Sequence, residues 1–279
     1  MSDYKTNVIQ GQENLDLKLR SWTCRKPIAD ILFCHGFQEY AGRYDNEASF
    51  FNEAGINFFS FDQRTHGESG GKYRSYIDSF DNYVKDLDLV KRHFNLGNER
   101  PLFLMGHSMG AAVIFKYVLK LKDRGQIKGV LFSAPLLKSD ENMAPLLQKM
   151  SGFIGRLLPK LKTIKLDTSA ISSDPEQVKI YESDALIYKK GIYAKSGAEL
   201  LQELEKLQEQ FKAFDLPFII QHSKSDKLTS FKGSQWLYEQ SPSNDKSLIP
   251  LEDLGHEIMK DRTSTEVLKR FKDWILNRI

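Results

Sequence analysis

The sequence predicts an α/β fold, a mostly parallel doubly wound sheet carrying a helical cap. Two observations carry that prediction. Short, continuously apolar runs bounded by turn residues alternate with segments of helical period, and one long stretch then breaks the alternation. Runs apolar throughout, rather than at every second position, suit strands of a parallel sheet covered on both faces.

The candidate strands, in order, are LDLKLRSWTC, ADILFCHG, INFFSFDQ, PLFLMGHS, KGVLFSAP, LPFIIQHS and KSLIPLED. Helical patterns fall between them at about 44–54, 78–95, 109–124, 230–240 and 263–278. In the last of these, Val267, Phe271, Trp274 and Ile275 share one face, as a helix covering a sheet requires. From Leu136 to Phe214 no convincing strand occurs, and this connection is far longer than ordinary loops. Met143, Leu146, Leu147, Met150, Phe153, Ile154, Leu157 and Leu158 recur there at helical spacing. AELLQELEKLQEQFKAF then reads as an amphipathic helix returning to the core. The chain therefore divides into core (1–135), helical cap (136–198) and core (199–279), one catalytic domain overall.

The 279 residues and 41% hydrophobic content suffice for one sizeable core, and a net charge of +3 without a dense Lys/Arg stripe excludes nucleic acid as a main partner. Cys24 and Cys34 are too few for a disulfide framework and read as buried thiols of a reduced compartment. No apolar signal region opens the sequence, and no run is long enough to span a bilayer. The expectation is a cytoplasmic protein whose membrane contact, if it has any, is peripheral.

Chemistry concentrates at LFLMGHSMGAAVI, residues 102–114. Gly106-His107-Ser108-Met109-Gly110 fits a nucleophile elbow, in which a serine stands at a sharp strand-to-helix turn while glycines let neighbouring backbone approach. The helix beginning there directs free N–H groups at the serine, and the Met109 N–H is one oxyanion donor. Serine needs a base, and in this architecture the partners follow in the order Ser, acid, His. His222 and His256 are the histidines after Ser108. His222 ends a strand with no well-placed acid upstream, whereas His256 lies in a glycine-opened loop after the last strand. Asp226, just past the preceding strand, suits the acid, its competing reading being a helix cap or loop charge. Asp245 sits in a polar turn and Asp253 crowds His256. The loop after ADILFCHG offers the Phe37 N–H as second oxyanion donor, and His35 reads as structural because it precedes the serine.

HGFQEYAGRYD, FDQRTHGESGG, GHSMG, YESDALIYKKG, HSKSDKL and GHEIMKD occur in order at fitting distances. Together they resemble the monoacylglycerol lipase and lysophospholipase branch of the α/β-hydrolases, over nearly the whole chain. The resemblance implies the α/β-hydrolase fold with its cap inserted after the sixth strand, a Ser108–Asp226–His256 triad, a Phe37/Met109 oxyanion hole, and an acyl tunnel under the cap. It implies no metal or organic cofactor. Glu39, Arg43 and Tyr181 match residues that surround the glycerol end of the substrate in such lipases. A bare loop-stiffening ion pair of Glu39 with Arg43 is the compatible alternative. The chain departs from the family pattern at Thr65, Ser223 and Ala185, and carries Met259 where some relatives have a second histidine.

The implied activity is hydrolysis of single-chain acyl glycerolipids, monoacylglycerol first. A lysophospholipase or broad esterase shares the same triad, and a silent lipid-binding protein shares the scaffold. The apolar cap residues either pack on the core and tunnel or form a lip for a membrane or lipid droplet, helped by Arg156, Lys160 and Lys162.

Overall fold

The computed structural model describes residues 4–138 and 152–279. Its strands are β1 (Tyr4–Gln10), β2 (Asp16–Trp22), β3 (Ala29–Cys34), β4 (Ile56–Phe61), β5 (Leu102–His107), β6 (Ile127–Ser133), β7 (Phe218–Ser223) and β8 (Lys246–Leu251). They form one sheet in the order β1-β2-β4-β3-β5-β6-β7-β8. β1 and β2 pair antiparallel with each other, β2 pairs antiparallel with β4, and the remaining pairs are parallel. The expected strands are all present, and β1, which makes the cap follow the sixth strand, is an addition. Its residues are exposed almost throughout, so no hydrophobic pattern marks it. β2 stops at Trp22, which leaves Cys24 outside it and only half-buried, while Cys34 is fully buried.

Alternating side chains of the central strands feed two separate cores. Leu32, Leu104, Val130, Phe132 and Ile220 face one apolar layer, and Ile31, Phe33, Phe103, Met105, Leu131 and Ile219 face the other. The first layer is closed by α2 (Phe80–His93), α3 (Met109–Lys120) and α5 (Ala194–Glu209), and the second by α1 (Asp45–Glu53) and α7 (Ser264–Leu276). In α7 the expected stripe of Val267, Phe271, Trp274 and Ile275 is buried. Gly129 of β6 makes room for this helix, because a Cβ there would meet the Trp274 ring at 2.4 Å.

In the cap, residues 152–157 are helical, and an antiparallel bridge joins Lys162 to Tyr193. Helix α4 (Pro175–Ser183) is capped by Asp174, whose side chain accepts the Glu176 N–H, with Pro175 supplying the preset first turn. α5 begins at Ala194, inside the stretch read as cap, and α6 (Phe231–Gln240) follows β7. Met143, Leu146, Leu147 and Met150 lie outside the described residues. Among those described, Phe153, Leu157 and Leu158 face solvent, and no helix is long and apolar enough to cross a membrane.

Candidate active site

Ser108 closes β5 and opens α3 at φ 51° and ψ −121°, a strained conformation for a residue with a side chain. The two glycines explain why the turn can form. A Cβ on Gly110 would lie 2.2 Å from the Cys34 carbonyl oxygen, and one on Gly106 would lie 2.6 Å from the Ala111 Cα. Helix α3 thus sits directly on β3 and β5, with the Met109 N–H among the unpaired donors of its first turn. The loop after β3 comes equally close: a Cβ on Gly36 would stand 3.1 Å from the Ser108 Cβ. Phe37, next in that loop, is half-buried against the His66 ring.

Asp226 follows β7 in a turn held by its own carboxylate, whose Oδ1 accepts the Leu228 and Thr229 N–H groups at 2.8 and 3.1 Å. Its Oδ2 accepts from His256 Nδ1 at 2.7 Å, from Thr229 Oγ1 at 2.8 Å and from His222 Nε2 at 3.1 Å. A carboxylate only accepts, so His256 carries its proton on Nδ1 and leaves Nε2 as the basic nitrogen. The His256 ring lies against the His107 ring, centroids 4.7 Å apart and planes tilted by 45°, and His107 is the residue before the elbow serine.

Burial alone would raise the Asp226 pKa, but the charge and hydrogen bond of His256 and the bonds from His222 outweigh it and hold the carboxyl well below its ordinary range. Burial would likewise lower His256. The facing Asp226 carboxylate wins and raises it above 6.5. His107 is kept neutral by burial and by the neighbouring His256.

Glu39, Arg43 and Tyr181 also come together. Arg43 bonds Glu39 at 2.7 Å and grips both oxygens of Glu257 at 2.5 and 2.8 Å, and its guanidinium lies 4.8 Å from the Tyr181 ring centre. The other Glu39 oxygen accepts the Gly36 N–H at 2.5 Å and the Tyr44 hydroxyl at 2.9 Å. One buried network therefore braces the Phe37 loop, the residue after His256 and the cap helix α4. Burial raises the Glu39 pKa against the pull of Arg43, whereas Arg43 and Lys260 hold Glu257 low against its own burial.

Of the other residues weighed from the sequence, His35 is structural. Its Nε2 accepts the Gln63 N–H at 2.8 Å and its Nδ1 donates to the Gly36 carbonyl. Asp245 is bound to Arg278 far from the serine, and Asp253 is exposed. Met259 is buried in the second apolar core. Thr65 takes φ 65°, a left-handed backbone conformation that is unusual for a β-branched residue.

Residues 25–263 match the serine aminopeptidase S33 family of hydrolases. The chain belongs to that family. Within it, the chain falls in the monoacylglycerol lipase-like branch of the α/β-hydrolases. An abhydrolase domain-containing protein of Dictyostelium discoideum is 34% identical over 94% of the chain, which spans 28% of that protein's length. The monoglyceride lipase of Rattus norvegicus is 30% identical, over 91% of this chain and 84% of its own. The crystal structure of Paleococcus ferrophilus monoacylglycerol lipase superposes with a TM-score of 0.84 at 25% identity, covering 94% of this chain and 99% of that one.

Two participants of this hydrolase site escaped the sequence reading. His222 was weighed only for an acid upstream, but its acid, Asp226, lies four residues downstream, a spacing readable in HSKSD. Glu257 lies within GHEIMKD, but its pairing with Arg43 crosses most of the chain, so only the fold could reveal it.

Proposed function

We propose that the chain is a serine carboxylic-ester hydrolase that cleaves monoacylglycerol to a fatty acid and glycerol through an acyl-enzyme on Ser108. The observation that carries this reading is the 2.7 Å bond between Asp226 and His256 Nδ1, with the His256 ring against that of His107, the residue before a serine on a positive-φ elbow. The names of the rat and Paleococcus relatives support the substrate class.

His256 Nε2 takes the hydroxyl proton as Ser108 Oγ attacks the ester carbonyl. The Phe37 and Met109 N–H groups receive the oxyanion, a contribution of about 3–4 kcal/mol per donor. His256 then passes the proton to the departing glycerol oxygen. Water attacks the acyl-enzyme, again losing a proton to His256, and the fatty acid leaves as Ser108 is reprotonated. Glu39, Arg43 and Tyr181 form the polar wall on the glycerol side, while the described part of the cap, residues 152–198, covers the site. Hydrolysis of 2-oleoylglycerol, oleoyl-lysophosphatidylcholine and p-nitrophenyl esters, with Ser108→Ala as control, tests the reading. Glycerolipid turnover well above the others, abolished in Ser108→Ala, is expected. A preference for lysophospholipid or short esters discards the substrate, and turnover by Ser108→Ala discards the triad.

The cap's outer face is the proposed lipid contact. Phe153, Leu157 and Ile164 are 67%, 63% and 69% exposed, with Arg156, Lys160 and Lys162 among them. This is the pairing of apolar and basic side chains that seats a protein at a lipid headgroup boundary. Replacing Phe153 and Leu157 with serine is expected to weaken sedimentation with anionic vesicles without altering turnover of a water-soluble ester. Undiminished sedimentation refutes the lip. The free thiols of Cys24 and Cys34 support a reducing, cytoplasmic setting.

A further inference from the structure

The geometry points to His222 as a positioning residue, a second histidine that shares the Asp226 carboxylate with His256 and fixes its orientation and charge for the proton relay. The inference rests on the Ser108–Asp226–His256 assignment proposed above.

The arrangement is directional. Asp226 can only accept, so His222 Nε2 must donate to Oδ2 across its 3.1 Å contact. His222 Nδ1 is then the acceptor for the Ser234 hydroxyl of α6, 2.7 Å away. Protons thus point in one sense from Ser234 through His222 to Asp226, and His256 Nδ1 meets the same oxygen from the opposite element. Thr229 Oγ1 stands between the rings, 3.2 Å from His222 Nε2 and 3.3 Å from His256 Nδ1.

Packing does not account for a histidine at this place. The side chains of His222 and Asp226 are both wholly inaccessible, and a leucine would fill the same space beside Phe231 without burying two polar nitrogens. What leucine cannot do is solvate the carboxylate. A buried charge needs donors that water cannot supply, and a partly satisfied polar network is costly. His222 supplies one of three donors to the oxygen that His256 uses. It draws off part of the charge that His256 would otherwise share with Thr229 alone. The titratable groups facing this acid are His222 from β7 and His256 from the loop after β8. Behind His256 stand His107, Glu257, Glu39 and Arg43.

The test is steady-state kinetics across pH on the whole chain, with Ser108→Ala as control and active sites counted by a fluorophosphonate. His222→Leu is expected to lower kcat about 10- to 100-fold at nearly constant KM. It should also move the acid limb of kcat/KM upward by about half a pH unit or more, because His256 then shares the carboxylate charge with one donor fewer. His222→Gln, whose amide nitrogen reaches the Nε2 position, is expected to recover most of both effects. A lower Tm with kcat per active site and the acid limb unchanged would mean packing alone and would overturn the inference. If His222→Leu does not fold, Gln is compared with His222→Asn, whose amide reaches only the Nδ1 position. Gln at least tenfold more active than Asn supports the inference, and equal rates with equal acid limbs overturn it. Turnover by Ser108→Ala would instead remove the triad on which it rests.

Discussion

At the scale of single residues, the site is governed by one carboxylate that has no access to water. Asp226 stays ionised because donors from three parts of the chain compensate its burial, and its charge in turn lifts the His256 pKa above 6.5. The base must be neutral to act, so kcat/KM is expected to fall as pH drops through that raised value. The half-maximal point belongs above pH 6.5, not at or below it. Asp226→Asn removes the charge that lifts His256. Its acid limb should move down by a unit or more while the plateau falls about 10⁴-fold, the loss typical when the imidazole tautomer is no longer held. A pH profile of both proteins on a soluble ester checks this, and an acid limb left unmoved by Asp226→Asn would contradict it. The sequence order of serine, acid and histidine nominates these three, and the structure brings Asp226 and His256 into contact. That order could not reveal that two histidines share the acid, because that depends on how β7 and the loop after β8 converge.

At the scale of elements, the central strands were legible because both of their faces are buried, leaving uninterrupted apolar runs such as LFLM and PFII. β1 was not, since a strand exposed almost throughout has no hydrophobic pattern, and its place is set chiefly by pairing with β2. Helix α7 was legible from its stripe, yet its seating depends on an absence the sequence does not advertise. Gly129 lets the edge of the Trp274 ring come close to β6, where that ring also meets Phe103 edge-on. Gly129→Ala puts a methyl group 2.4 Å from a ring atom whose helix is fixed by Val267, Phe271 and Ile275. The overpacking is expected to cost about 1–3 kcal/mol. A thermal melt should show Tm lower by several degrees, with kcat at 20 °C unchanged because Ser108 lies at the far end of the strands. An unaltered Tm would mean that α7 shifts freely over the sheet.

At the scale of the whole molecule, the cap and the catalytic loop are one unit along a seam. The His256 N–H donates to the Ala170 carbonyl at 3.0 Å and the Glu257 N–H to that of Ile171 at 2.7 Å. Gly255 packs so closely that a Cβ would stand 2.4 Å from the Ser172 Cα. Asp261 locks the seam, accepting the Ser173 and Gly255 N–H groups at 2.8 and 2.7 Å and the Ser173 hydroxyl at 2.6 Å. Whatever motion the outer cap makes, residues 170–173 cannot leave without carrying His256 away from Ser108. Gly255→Ala presses a methyl group against backbone, which has no flexible end to yield, so the histidine must shift. A displacement near 1 Å is expected to lower kcat about 100-fold, far beyond its effect on Tm. The seam should also respond to acid in a defined sense. Burial of Asp261 would raise its carboxyl, but its hydrogen bonds from Ser173, Arg262 and Gly255 prevail and hold it below 3.8. A depressed carboxyl contributes stability above its unfolded value, and that contribution fades as pH falls through the lower folded one. Asp261→Asn should therefore melt below the wild type by a constant margin between pH 5 and pH 8, and the margin should close below about pH 4. The absence of a margin between pH 5 and pH 8 would show that the seam is held by its backbone bonds alone and that the Asp261 charge adds nothing to it.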